Sequence, residues 1–169
     1  MDFSQLVAQL KAQSEIIRSL VQNVSDIQAS WKPDQDSWSI LEVINHLYDE
    51  EREDFRAHLR QVIEPSEEGW KRIDPQGWVT ARHYNTRSFQ HSVNNFLEER
   101  QSSLDWLKSL TSVDWNAVIL APFGEISAGT LLSSWVAHDL LHTRQLVELR
   151  YAWLLQSTEP YNVQYAGEW

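Results

Sequence analysis

Four stretches of this sequence repeat their apolar residues with the period of an α-helix. They cover residues 3–24, 39–62, 86–110 and 130–155. Apolar side chains three or four residues apart lie on one face of a helix, with polar side chains on the other. Four amphipathic helices bury these faces most simply against one another. The fold we predict is therefore all-α: a four-helix bundle in one domain over residues 1–169, with an irregular tail at 156–169.

Two long connections separate the last three predicted helices. The first, residues 64–85, contains two prolines and two glycines, and the second covers residues 111–129. Connections of this length inside a compact domain are often functional. They also allow a crossover topology (up-down-down-up) in place of a simple up-and-down order. Within the second connection, the segment VILAPFGEIS at 118–127 could contain a short extended piece.

Local signals mark where the helices begin and end. Ser39 and Glu42 have the spacing of a capping box, which predicts that the second helix begins at Ser39. Pro65 is expected to end that helix, because proline cannot continue it. Thr130 is the predicted N-cap of the fourth helix.

Composition excludes several classes of function. The formal net charge of −10 argues against a nucleic-acid or anionic-membrane partner, since both select basic surfaces. The chain has no cysteine, which excludes disulfides, thiolate metal ligands and a cysteine nucleophile. No apolar run reaches the length of a membrane span, and the first residues lack the features of a signal peptide. We therefore expect a cytoplasmic protein.

Two histidines lie one turn apart in the fourth predicted helix. His138 and His142 share a helix face with Leu131, Trp135 and Leu149. Two imidazoles so placed can bind one metal ion. They can equally be core histidines with protein partners, because a buried polar ring needs a partner for each nitrogen. The spacing alone does not decide between the two.

A metal site requires at least one further ligand, and His46 in the second helix is a candidate. On a helical wheel His46 lies off the apolar stripe, near Glu50 and Ala57, which predicts a histidine at the surface. It could still bind a metal at an open edge of the bundle. Such a site would leave coordination positions for water or substrate.

Two other metal motifs fit less well. A di-iron bundle uses Glu-x-x-His on two helices, and no histidine here has a glutamate three residues before it. The motif of zinc peptidases is His-Glu-x-x-His. Here Asp139 stands in the glutamate position between His138 and His142, so a hydrolase of that kind is only a minor alternative.

Several motifs in order resemble the DinB/YfiT superfamily of metal-binding four-helix bundles. They are W-S-x-x-E-x-x-x-H-L from Trp38, N-x-R from Asn85, F-G at Phe123, and H-D-x-x-H-x-x-Q from His138. The stretch YNTRSF…FLEER of the third helix belongs to the same pattern. Each motif alone is of modest specificity, and the combination covers most of the chain.

The resemblance implies a crossover bundle with one divalent metal, commonly zinc or nickel, on three histidines. The matching positions are His46, His138 and His142. Characterised relatives use the metal to activate a low-molecular-weight thiol for transfer to an electrophile or for isomerisation. A metal stabilises a thiolate at neutral pH, and a cosubstrate would have to supply the thiol. A metallohydrolase and a non-catalytic metal-binding module remain alternatives. A homodimer acting on a small-molecule substrate is expected.

Further residues are candidates for roles around this site. Glu50, one turn after His46, could orient that histidine or act as a base, and Asp139 could act in catalysis. Arg100, on the apolar stripe of the third helix, could bind a carboxylate of a thiol cofactor or pair with a buried acid. Tyr84 could line the cofactor site. We also expect Gln145 to contact the site, and His58, His83 and His91 to be surface or rim histidines.

Overall fold

The structure is a computed structural model that describes residues 2–64 and 69–167. Its helices are α1 (Phe3–Val21), α2 (Asp26–Ser30), α3 (Ile40–Asp49), α4 (Arg56–Ile63), α5 (Pro75–Ala81), α6 (Phe89–Ser109) and α7 (Ala128–Ser157). A π-helical segment, Glu50–Phe55, joins α3 to α4, so these three pieces form one long helix. Single 3₁₀ turns lie at Tyr84–Thr86 and Gln164–Ala166. Strands β1 (Val118–Ala121) and β2 (Gly124–Ser127) form an antiparallel hairpin.

The four long helices have a crossover arrangement. Helix α1 packs on α6 and α7, and the α3–α4 helix packs on the same two neighbours. Gln13 contacts Thr143 and Arg150 contacts the carbonyl of Leu20, so α1 and α7 run in the same direction.

The other two long helices run in the opposite direction. Ser92 of α6 contacts Asn45 of α3, and Ser103 contacts Arg56 of α4, so α6 is parallel to the α3–α4 helix. Helix α6 is antiparallel to α1, since Phe89 lies near Val21 at one end and Arg100 binds the carbonyl of Leu10 further along. The order is up-down-down-up, and the predicted all-α bundle is confirmed.

Most of the predicted helix boundaries are close to the observed ones. Ser39 Oγ accepts from Glu42 N at 3.1 Å and Glu42 Oε2 accepts from Ser39 N at 2.8 Å, so the capping box is present. The N-cap predicted at Thr130 is wrong, because Ser127 Oγ accepts from Thr130 N and α7 begins earlier. The expected extended piece is the β1–β2 hairpin. Pro65 and the last two residues of the tail lie outside the described residues.

Most of the buried apolar side chains in the described part of the chain form two clusters, one towards each end of the bundle. The first contains Val7, Leu10, Phe55, Leu59, Leu104, Leu107, Leu131, Leu132, Trp135 and Val136. The second contains Ile17, Ile40, Val43, Ile44, Leu47, Phe96, Leu146 and Leu149. In every long helix, buried polar residues separate the positions that belong to the two clusters. We call them the polar layer: Ser14, Glu50, Glu51, Arg100, Ser103 and Asp139.

Arg100 occupies the centre of the polar layer with 1% exposure. Its Nε and Nη2 donate to Glu51 Oε1, and Nη1 and Nη2 donate to the two carboxylate oxygens of Asp139 at 2.6 and 2.9 Å. Nη1 also donates to the carbonyl of Leu10 at 3.0 Å. Trp135 Nε1 donates to Glu51 Oε1 at 2.8 Å. All five donors of the guanidinium are therefore used, and they connect the four long helices.

Among the described helices, none combines the length and apolar character needed to cross a membrane.

Removing the Arg100 guanidinium should destabilise the fold strongly. In the variant Arg100→Met two buried carboxylates, Glu51 and Asp139, lose their cation. We expect the free energy of unfolding in urea to fall by about 3–5 kcal/mol. As a matched control, Arg144→Met removes an arginine from an exposed ion pair with Glu148, and should change stability by less than about 1 kcal/mol. Equal effects of the two substitutions would contradict this role of Arg100.

Candidate metal centre

Three imidazoles converge on one point beside the polar layer. His46 is supplied by α3, and His138 and His142 by successive turns of α7. Nε2 of His138 lies 3.2 Å from Nε2 of His46 and 3.1 Å from Nε2 of His142. Within the described part of the chain, these are the three side chains grouped closely enough to hold a metal ion, with ligand atoms within 4.8 Å of one another.

Two of the three separations between the ring nitrogens fit a shared ion. Two nitrogens bound at about 2.0–2.1 Å to one tetrahedral ion are about 3.3–3.4 Å apart. The observed separations of 3.1 and 3.2 Å are close to that value. Three neutral imidazoles suit zinc, nickel and other divalent transition metals, and they leave at least one coordination position open.

Burial keeps the three rings neutral, as metal ligation requires. The pKa of His46 is lowered to about 3 and that of His138 to about 2, chiefly by burial, with a contribution from the nearby His142 ring. Burial also lowers the pKa of His142, although its hydrogen bond to Gln145 opposes the shift. At neutral pH each ring can therefore offer a lone pair without first losing a proton.

Gln145 fixes the orientation of one ligand. His142 Nδ1 lies 2.8 Å from Gln145 Oε1, an acceptor, so Nδ1 carries the proton and Nε2 keeps its lone pair. Hydrogen bonds of this kind to the far nitrogen of a metal-binding histidine set its tautomer and raise its affinity. The expected contact of Gln145 with the site is present.

Glu50 is an acidic side chain that lies beside two of the three rings. It is 4% exposed, with Oε1 3.9 Å from His46 Nδ1 and Oε2 4.0 Å from His138 Nε2. Among the described residues, neither Glu50 Oε1 nor His46 Nδ1 has a hydrogen-bond partner. The pKa of Glu50 is raised to about 9, chiefly by burial, with contributions from the neighbouring acids Asp54, Asp49 and Glu51. A divalent cation next to this carboxyl would favour its ionised form.

The surface position predicted for His46 is wrong: the residue is 5% exposed. The wheel treats α3 as a helix with one buried face, whereas α3 packs against α2, α5, α6 and α7 and is buried nearly all round. Trp38 also covers the ring, with centroids 4.9 Å apart. In addition, the π-helical segment changes the helical period after Asp49, so a uniform wheel misplaces Glu50 relative to the later residues.

Asp139, Arg100 and Tyr84 all lie in internal networks. Asp139 is fully buried and both its oxygens accept from Arg100; burial raises its pKa although Arg100 opposes this. Because all donors of Arg100 are used inside the protein, none is left for a cofactor carboxylate. Tyr84 is 0% exposed and its hydroxyl donates to Asp49. These placements favour positioning roles over the catalytic and cofactor-binding roles expected from the sequence.

His58 differs from the expected surface histidine, while His83 and His91 are exposed as expected. His58 is 0% exposed, with Nδ1 2.6 Å from Asp54 Oδ1 and Nε2 2.8 Å from the carbonyl of Lys71. Its ring stacks on Trp70 at 3.8 Å. The sequence contained a signal for this burial: His46, Glu50, Asp54 and His58 follow one another at intervals of four residues, which places them on one helix face.

A cleft of about 540 Å³ opens beside the histidines. Its walls are α7, α5 and the linker before α3. The lining residues are Pro33, Asp36, Ser37, Trp38, Gln76, His142, Gln145, Glu148, Leu149 and Ala152. Because one candidate ligand, His142, lines the cleft, a small molecule in it would reach the metal centre.

The crossover bundle and its three-histidine centre define the class of protein. Residues 9–146 match the model of the DinB superfamily, and the chain belongs to that family. Among solved structures it is similar to YfiT from Bacillus subtilis, with a TM-score of 0.76 and 17% identity, over 87% of this chain and 85% of that chain. YfiT is described as a probable metal-dependent hydrolase with an unusual four-helix bundle topology. No curated protein matches the sequence.

Metal content tests the three-histidine site directly. We expect about one equivalent of a divalent transition metal in tag-free protein after reloading, and its loss in His46→Ala and His138→Ala. Gln145→Leu should keep the site and weaken metal affinity by about 10- to 100-fold. Exposed His91→Ala is the control and should bind as the wild type does. A wild type without metal by elemental analysis would contradict the site.

The raised pKa of Glu50 predicts a pH-dependent effect in metal-free protein. The folded-state pKa, about 9, exceeds the ordinary value of 4.5, so the unfolded state loses its proton first as pH rises. As the pH rises from 4.5 to about 9, wild-type stability should therefore fall relative to that of Glu50→Gln, which stays neutral. The slope is up to about 1.4 kcal/mol per pH unit. The advantage of Glu50→Gln should be small at pH 5 and clear at pH 8 in urea unfolding. Exposed Asp105→Asn should give no such slope.

Proposed function

We propose that this protein is a metal-dependent enzyme in which Glu50 takes a proton from a nucleophile at the metal centre. The observation that carries the proposal is the position of Glu50. A buried carboxyl, one of whose oxygens has no hydrogen-bond partner in the described part of the chain, lies within 4.0 Å of two of the three converging histidines. Perturbed carboxyls beside a metal-binding cluster and a cleft are typical of catalytic sites.

In this proposal the three histidines bind the metal and Glu50 acts as the base. His46, His138 and His142 would hold the metal, which, when bound, lowers the pKa of a water molecule or thiol at its open position. Glu50, ionised next to the cation, accepts the proton that the nucleophile releases. Its burial excludes bulk water, so the proton remains available for the leaving group.

Water is the nucleophile that the geometry supports best, which makes the reaction a hydrolysis. Arg100 and Tyr84, the two side chains expected to bind a thiol cofactor, are used in internal contacts instead. The description of YfiT as a probable metal-dependent hydrolase supports the same choice. Glu50 then has the role that the glutamate of zinc peptidases has. In those enzymes the glutamate lies between the two histidines of one helix, whereas Glu50 lies on a different helix from His138 and His142.

Transfer of a low-molecular-weight thiol is the second candidate. The cleft of about 540 Å³ has room for a cosubstrate as well as an electrophile. Because the chain has no cysteine, the thiol would be supplied by that cosubstrate. The same residues would act, with Glu50 accepting the proton of the thiol.

Glu50→Gln separates the catalytic role from metal binding. We expect the variant to keep about one equivalent of metal and to lose activity by about 10²- to 10⁴-fold, because the amide cannot accept the proton. Metal-loaded protein would be assayed for hydrolysis of p-nitrophenyl acetate and, separately, for conjugation of 2-mercaptoethanol to 1-chloro-2,4-dinitrobenzene. Turnover in one assay only would identify the nucleophile. Unchanged turnover in Glu50→Gln would refute the role of Glu50.

A further inference from the structure

We propose that the cleft beside His142 binds substrates that carry a positively charged amine and disfavours substrates that carry a carboxylate. The inference concerns the substrate class of the same site and rests on the proposed function. It follows from the charges of the side chains that line the cleft, from an aromatic ring at its inner end, and from a linker held in a fixed conformation.

The lining side chains supply negative charge and no positive charge. Asp36 contributes a carboxylate from the linker, and Glu148 contributes one from α7. No lysine or arginine belongs to the described lining. Of the cations on neighbouring segments, Lys32 pairs with Glu42 at 2.8 Å, and exposed Arg144 pairs with Glu148 at 3.3 Å. Arg144 reduces the charge of Glu148 only in part, because exposed ion pairs are weak.

Trp38 presents an aromatic ring where the cleft meets the metal centre. Its ring centroid is 4.9 Å from that of His46 and 6.3 Å from that of His142, so it lies next to two of the three ligands. Tryptophan has the strongest cation–π attraction of the natural side chains. An ammonium group in the cleft therefore meets carboxylates and an aromatic face within one small volume.

The linker that carries Asp36 and Trp38 is held in place before any ligand binds. Asp34 Oδ1 accepts from the backbone N–H groups of Asp36 and Ser37 at 2.9 and 2.7 Å, and Asp34 Oδ2 accepts from Ser37 Oγ at 2.8 Å. The hydroxyl and backbone of Ser37 lower the pKa of Asp34, so these bonds persist at neutral pH. A preformed wall loses less entropy when a ligand binds.

Carboxylate-bearing ligands meet the opposite conditions. Arg100, which could have paired with a carboxylate, is 1% exposed and bound to Glu51 and Asp139. The protein as a whole carries a formal charge of −10, which adds to local repulsion of anions. Substrates with an amine, or neutral ones, are therefore preferred over anionic ones.

Three small thiols that differ in charge test this selectivity by binding alone. Cysteamine is cationic, 2-mercaptoethanol is neutral and 3-mercaptopropionate is anionic. Each is titrated into cobalt-loaded protein, and binding is followed by the sulfur-to-cobalt charge-transfer absorption. The added thiol is the sole source of this absorption, because the chain has no cysteine. The double variant Asp36→Asn/Glu148→Gln removes the two charges and touches none of the three histidines.

The quantity compared is the ratio of Kd between the double variant and the wild type, because the three thiols differ in their own pKa. Because the double variant lacks two partly screened negative charges, it should bind cysteamine about twofold to tenfold more weakly than the wild type. The 2-mercaptoethanol ratio should stay near one, and 3-mercaptopropionate should bind more tightly to the variant. The control Asp105→Asn/Glu125→Gln changes the net charge equally at exposed positions away from the cleft, and should leave all three ratios near one.

The outcomes separate this inference from the proposed function. Equal ratios for the three thiols, with cobalt bound, overturn the charge selectivity and leave the metal centre intact. A shift of the same size in the control variant also overturns it, because the effect would then be one of net charge. Failure of the wild type to bind cobalt removes the proposed function and this inference together.

Discussion

The Arg100 guanidinium is the group on which the arrangement of the bundle depends. It donates to Glu51 of the second long helix, to Asp139 of α7 and to a carbonyl of α1, while belonging itself to α6. A buried cation that uses all five donors accepts only one relative position of its partners. Two apolar clusters alone would tolerate a helix sliding along its neighbours by one turn. The polar layer between them does not, because a shifted helix would leave a buried charge without its partner.

The same contacts position the metal centre. Glu51 follows Glu50 directly, and Asp139 follows His138, so the residues that bind Arg100 are the chain neighbours of residues at the site. Fixing Asp139 on α7 fixes the turn from which His138 projects, and fixing Glu51 does the same for Glu50. A buried ion pair is a weak contributor to net stability compared with apolar packing. Its retention here is explained by geometry, since ligand nitrogens must be held within a fraction of an ångström for tight binding.

The sequence predicted most of the fold because periodicity and capping act locally. The four amphipathic stretches, the capping box at Ser39 and the shared face of His138 and His142 need no knowledge of the rest of the chain. The burial of His46 and His58 could not be obtained in that way, since it depends on which segments cover α3 and α4 and on the π-helical segment. Arg100 was ambiguous for the same reason: its acids come from other helices. The order of the family motifs predicted His46 as a metal ligand, whereas the helical wheel placed it at the surface. The absence of a nucleic-acid partner and the homodimer stay predictions.

Three consecutive acids, Asp49, Glu50 and Glu51, explain why the centre suits a cation. Burial would raise the pKa of Asp49, but hydrogen bonds from Tyr84, Arg52 and Arg82 outweigh it and lower that pKa. Glu51 pairs with the guanidinium of Arg100 and accepts a hydrogen bond from the indole of Trp135. Glu50 has no cation among the described residues and lies beside the neutral imidazoles of His46 and His138, so without metal it is held protonated. A divalent ion on the histidines supplies the missing positive charge. The protonation state of Glu50, and with it the ability to accept a proton, is thereby linked to occupancy of the metal centre.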